Sequence, residues 1–173
     1  MKKSISRRAT ILGIAASILV LPVAAQYGGD RSREVAGTWM LVSLVNTQPD
    51  GQKSDVMGSN PKGKAIFTPD GHFSVNFTRD GLPKFASGNR VKGTPEENQA
   101  VVQGSISYFG TYSTDGADGT DRILSQKVEG STFPAWIGEV QKRKFTIAGD
   151  QLQWVGIVGT GGGTVVATLR RVK

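Results

Sequence analysis

The stretch GKAIFTPDGHFSVNFT, Gly63 to Thr78, reads as a β-hairpin. Phe73, Val75 and Phe77 alternate with His72, Ser74, Asn76 and Thr78, the period of a strand with one face buried and one wet. Pro69-Asp70-Gly71 supplies the turn between the two halves. The same punctuation recurs along the chain and predicts further strands. Gly37–Asn46 comes first, then Gly63–Thr68 and His72–Thr78. Ile106–Ser113 and Arg122–Glu129 pair across an Asp/Gly-rich loop, and Gly138–Ile147 and Gln151–Val158 across Ala148-Gly149-Asp150. Thr164–Val172 completes the set. Eight strands can close a small barrel without leaving edges. The expected fold is therefore all-β: an eight-stranded antiparallel up-and-down barrel.

Three segments break the strand pattern. Thr94-Pro95-Glu96-Glu97 places a capping residue before Pro at the first helical position and acids in the first turn, predicting one short helix over about 95–103. Residues 79–93 read as a mobile Gly/Lys/Arg-rich loop, and Gly159–Gly163 as a flexible hairpin turn. The latter is no phosphate loop, since neither Lys-Ser/Thr nor a helix follows it.

The start of the chain reads as a targeting segment. Lys2, Lys3, Arg7 and Arg8 precede the apolar run Ile11 to Leu21, and Val23 and Ala25 are the small residues a signal peptidase requires. The run is too short to span a bilayer as a helix, and no second one follows. The expected organisation is a signal peptide over 1–25, a flexible N-terminus over 26–35 and one domain over 36–173. The expected location is periplasmic or secreted, with no membrane span in the mature form. Ser6-Arg7-Arg8 matches a twin-arginine signal only in part, so ordinary export is the expected route.

This reading alters the meaning of the charge. The whole chain carries Lys+Arg 21 against Asp+Glu 14, a net of +7. Taking away the leader's four basic residues leaves 17 against 14, a net of +3. That is ordinary solubility, and no nucleic-acid partner is expected. With no cysteine, a disulfide scaffold, a thiol nucleophile and a Cys-ligated zinc site are excluded.

The order of several short motifs carries a resemblance. Ala36-Gly37-Thr38-Trp39-Met40-Leu41-Val42-Ser43 is followed by Pro61-Lys62-Gly63 and Thr68-Pro69-Asp70-Gly71. Next come Tyr108-Phe109-Gly110-Thr111-Tyr112, Val128-Glu129-Gly130-Ser131, Phe133-Pro134, Trp136 with Gly138, Gln141 with Arg143, and Gly149-Asp150 with Leu152. Together they resemble the bacterial and fungal lipocalin-like domain family, within the calycin-type barrels, over nearly all of the mature chain. The resemblance implies that Gly37 and Trp39 close one end of the barrel, with Arg170 or Arg171 stacking on the indole. It also implies that the family's histidine before Val-Glu is replaced here by Gln126 and Lys127. Gln126 can donate and accept hydrogen bonds but cannot shuttle a proton at neutral pH.

Function is then sought inside the barrel. Phe73, Phe77, Tyr108, Tyr112, Phe133, Trp136, Phe145 and Trp154 are candidates to line it or its mouth. Arg143 shares a strand face with Gln141, Phe145 and Ile147, so an inward face carries a guanidinium with it. Glu129, at a strand end, can pair with Arg143 across the sheet, as a buried structural ion pair first and as a polar anchor for a ligand second. Arg143, Gln126 or Tyr112 is expected to orient a ligand. His72 falls on the polar face beside a turn, and most carboxylates fall in turns. No catalytic set, metal site or cofactor is assigned. The leading expectation is an exported barrel binding a small, largely hydrophobic molecule. An isomerase, hydratase or cyclase in the same cavity is the enzymatic alternative; it would require Glu129, Tyr108 or Tyr112 buried with a perturbed pKa. A closed barrel acting through its loop or helix is the structural one.

Overall fold

Alternating strands need partners on both edges, and in this chain they find them by closing on themselves. In the computed structural model, which describes residues 32–115, 122–156 and 162–173, β1 (Gly37–Thr47) is followed by β2 (Lys53–Asp55), β3 (Lys62–Phe67) and β4 (His72–Thr78). Then come β5 (Ser105–Asp115), β6 (Ile123–Ser131), β7 (Val140–Ala148), β8 (Gln151–Gly156) and β9 (Thr164–Arg171). Every pairing is antiparallel, the order from β3 to β9 is sequential, and β1 pairs with both β3 and β9. β1 and β3–β9 thus make a closed eight-stranded barrel. The three-residue β2, exposed throughout and absent from the sequence expectation, only patches the edge of β1 at Val45–Thr47. The proposed leader lies outside the described residues, as does most of the Asp/Gly-rich loop and of the Gly159–Gly163 turn. Among the described residues no helix is long and apolar enough to cross a membrane.

The predicted alternation is seen in the burial. Phe73, Val75 and Phe77 are buried on β4, Leu152 and Trp154 on β8, and Ala167 and Leu169 on β9. Two bulges change the phase. On β1, Leu41 faces Leu169 while Ser43 faces Thr168, so the inward set passes from Trp39 and Leu41 to Leu44 and Asn46. On β6, Gly130 faces Phe109 but Val128 faces Gly110, which leaves Glu129 as the extra residue.

The two ends of the barrel differ in their connections. One end has the tight β3–β4 and β7–β8 hairpins. The other has the segment between β1 and β3, the long β4–β5 connection with its helix, and the β6–β7 connection with a short 3-10 turn, Pro134–Trp136. The helix, α2 (Pro95–Gly104), begins as the sequence predicts. Thr94 and Glu97 form a reciprocal capping box, and Glu97 also accepts from the Ala86 N–H, tying the preceding loop to the helix.

At the tight end, Ser32–Val35 forms a single helical turn, α1, where the sequence was expected to be flexible. Val35 is fully buried, and the Trp39 indole N–H donates to its carbonyl at 2.7 Å. The guanidinium that stacks on Trp39 is that of Arg171, 4.0 Å from the ring; Arg170, the other expected partner, is exposed. Strand phase explains the correction: Leu169 points inward, so residue 171 does too. Arg171 also donates to the carbonyls of Ala36 and Glu34 at 2.8 and 2.7 Å. Gly37, at φ +132°, is where any side chain would strike that guanidinium.

Candidate functional site

Much of the interior is filled by rings. Phe67 packs edge-on against Tyr112 at 5.0 Å and Trp154 at 6.0 Å, and Trp154 stacks on Phe77 at 6.2 Å. Phe73 joins Phe67 to Tyr108. Six of the eight aromatic candidates, Phe73, Phe77, Tyr108, Tyr112, Phe145 and Trp154, are therefore buried core residues. Trp136 is half-buried and packs on Tyr108 at 5.2 Å, a lid-like position on the β6–β7 connection. Phe133, 40% exposed, only supports Trp136 from the rim.

The polar residues sort differently from expectation. Arg143 points inward, as its strand phase requires, and its Nε donates to Gln126 Oε1 at 3.0 Å. Its Nη2 stands 3.5 Å from the Tyr108 hydroxyl. Space for the guanidinium comes from Gly156 on the neighbouring strand, where a Cβ would stand 2.9 Å from Nη1. Glu129 does not pair with Arg143. Leu124, Gln126 and Val128 hold the inward phase of β6, so Glu129 falls on the solvent face and is neither the guanidinium's counter-ion nor a buried acid for catalysis. Among the described residues no carboxylate forms an ion pair with Arg143.

Gln126 is 0% exposed. Because a guanidinium can only donate, its bond to Arg143 fixes the amide with oxygen toward the arginine. The amide Nε2 then faces away and has no partner among the described residues. A second buried polar atom, Asn46 Oδ1, is also without one. Sequence reading missed Asn46, since strict alternation from Trp39 would put it outside. The apolar spacing from Leu41 to Leu44 was the available sign of a phase change. Asn46 lies in register with Val165, Val165 with Gly156, and Gly156 with Arg143, so these residues form one row across four adjacent strands.

Tyr112 belongs to the other end. Its hydroxyl donates to the Thr68 carbonyl at 2.9 Å. Burial, and secondarily the Asp70 carboxylate nearby, makes it hold its proton more tightly than an ordinary phenol. It is a structural donor there. His72 is exposed, as expected.

A separate groove of about 710 Å³ lies on the outer wall, where β1 parts from β3. Met40, Val42 and Ile66 form its apolar floor, with Lys62, Lys64 and Arg170 around it.

The sequence profile described as a lipocalin-like domain matches residues 36–170. The chain is also similar to the 4'-hydroxy-3'-methoxypropiophenone carrier protein ppsC of Aspergillus oryzae. The two are 30% identical over 83 residues, which is 46% of this chain and 75% of that carrier.

Proposed function

Because this chain belongs to the lipocalin-like domain family, we propose that its barrel binds a small, largely apolar molecule beside Arg143 and Gln126. The observation that carries this reading is the buried Gln126 amide, whose donor has no acceptor among the described residues. A buried donor left unmade costs about 1–3 kcal/mol, and a ligand acceptor removes that cost. Apolar ligand surface against Trp136, Tyr108 and neighbouring rings contributes roughly 25 cal/mol per Å² buried. The similar fungal protein is named as the carrier of an aromatic ketone, a molecule with this division between ring and polar oxygen. We further propose that residues 1–25 are a cleaved leader that carries the protein beyond the inner membrane; the intact mass of the native protein, expected to begin at Gln26, tests that.

The direct test is a titration of the purified protein with 4'-hydroxy-3'-methoxypropiophenone, followed by tryptophan fluorescence and calorimetry. Saturable one-to-one binding that weakens about tenfold or more in Arg143→Met is expected. A folded protein that binds neither this ketone nor other single-ring aromatics at millimolar concentration overturns the proposal.

A further inference from the structure

Among the described residues no carboxylate pairs with the Arg143 guanidinium inside the barrel. Arg143 is only half-buried, but its neighbours inside the barrel are a neutral amide, a phenol and a glycine. Glu129, the acid expected beside it from the sequence, faces outward from β6. Among the described residues the donors on this side outnumber the acceptors: Gln126 Nε2 is buried without one, and the Arg143 guanidinium has the Gln126 amide oxygen and the Tyr108 hydroxyl. Two strands away from Gly156 in the same row, Asn46 Oδ1 is an acceptor lacking a donor. The Gly156 and Asn46 backbones lie two strand spacings apart, about 10 Å, with the Arg143 guanidinium over Gly156 and the Asn46 side chain turned inward in the same row. Buried polar groups are paired in the great majority of native structures. Two orphans of opposite kind, with a lone cation beside one, therefore describe what is absent.

We infer that the ligand is a small hydroxylated organic acid, its acidic oxygen held by Gln126 Nε2 and the Arg143 guanidinium and its hydroxyl donating to Asn46 Oδ1. This rests on the carrier reading above and narrows it from apolar molecules in general to acids. Charge-assisted bonds to a guanidinium are about twice as strong as neutral ones, so the acid group dominates the selection. The hydroxyl refines it.

Three probes of nearly equal size separate these terms: vanillate, its methyl ester, and veratrate, in which the ring hydroxyl is methylated. Calorimetric titration is expected to give vanillate about tenfold or more tighter than the ester, and several-fold tighter than veratrate. Arg143→Met should abolish the preference for acid over ester. Asn46→Leu should abolish the preference for vanillate over veratrate while leaving the first intact, and its melting temperature should hold or rise, since an unpaired buried acceptor is removed. Circular dichroism of each variant separates lost binding from lost folding. If Asn46→Leu does not fold, Asn46→Ala serves the same comparison. Equal affinity for vanillate and its ester, or binding of the neutral ketone but not of vanillate, overturns the acid and leaves the carrier reading standing. A preference for vanillate over veratrate that survives in the Asn46 variants overturns the role of that residue. Failure of all probes, ketone included, removes both.

Discussion

At the Trp39 end of the barrel, the indole N–H, the Tyr112 hydroxyl and the Arg171 guanidinium each donate to a main-chain carbonyl. Around Arg143, by contrast, Gln126 Nε2 and Asn46 Oδ1 are buried without partners among the described residues. Both regions place an arginine against the interior. Arg171 lies flat on an indole and bonds to two carbonyls, so its cost of desolvation is offset locally. Among the described residues Arg143 is met only by one amide oxygen at 3.0 Å and the Tyr108 hydroxyl at 3.5 Å. The contrast teaches that an inward arginine is not by itself a sign of function. The sign is whether its neighbourhood is chemically complete.

The comparison can be broken most forcefully at the complete end. Trp39→Ala removes a fully buried ring together with the surface on which Arg171 lies. It should cost about 3–5 kcal/mol, measured by urea unfolding followed by circular dichroism. A loss below about 1 kcal/mol would mean that this end collapses around the gap and is not the rigid one.

The incomplete end should respond in a different way. Gln126→Leu alone leaves the Arg143 Nε without its acceptor and should cost about 1–3 kcal/mol. Adding Arg143→Met removes the other partner, and the double variant should return to within about 1 kcal/mol of the parent. Additive losses in that cycle would show that the cluster stabilises the fold, which would erase the difference between the ends.

The smallest effect concerns the rim of the complete end, where the Lys173 ammonium lies 2.9 Å from Asp150. Their hydrogen bond and mutual attraction lower the Asp150 pKa from its ordinary 3.8 and raise that of Lys173 from 10.5. The carboxylate's contribution is present above 3.8 and is lost as pH falls through its lowered value. The ammonium's is present below 10.5 and is lost as pH rises through its raised value. Melting temperatures of the parent and Asp150→Asn should therefore differ slightly between those limits and converge on either side. Both groups are exposed, so salt should shrink even this difference.

Where a strand kept its period, its architecture was legible from the residues. Phe73, Val75 and Phe77, and likewise Arg143 with Phe145, face inward as alternation requires. The same rule, carried two residues past Leu169, selects Arg171 over Arg170. What escaped the reading has two causes. The β1 bulge turns Asn46 in, and a bulge is a mismatch between two strands that neither strand's own alternation displays. Glu129 instead faces out on the regular alternation of Leu124, Gln126 and Val128, whose inward phase argued against a pair with Arg143. The candidate site depends on both, so its aromatic wall was readable and its polar logic was not. β2 escaped for a simpler reason: Lys53-Ser54-Asp55 has no apolar face to announce a strand.

The seam between β1 and β9 joins Ala36 to Arg171, 135 residues apart in sequence. Until it forms, the sheet is an open ribbon with two unsatisfied edges, β1 on one side and β9 on the other, each a template for pairing with another molecule. Arg171 anchors the very strand that hides both edges. Its contact with Trp39 is thus also a latch against self-association, and the hazard in losing it is intermolecular: a chain that keeps its hairpins yet recruits its neighbours.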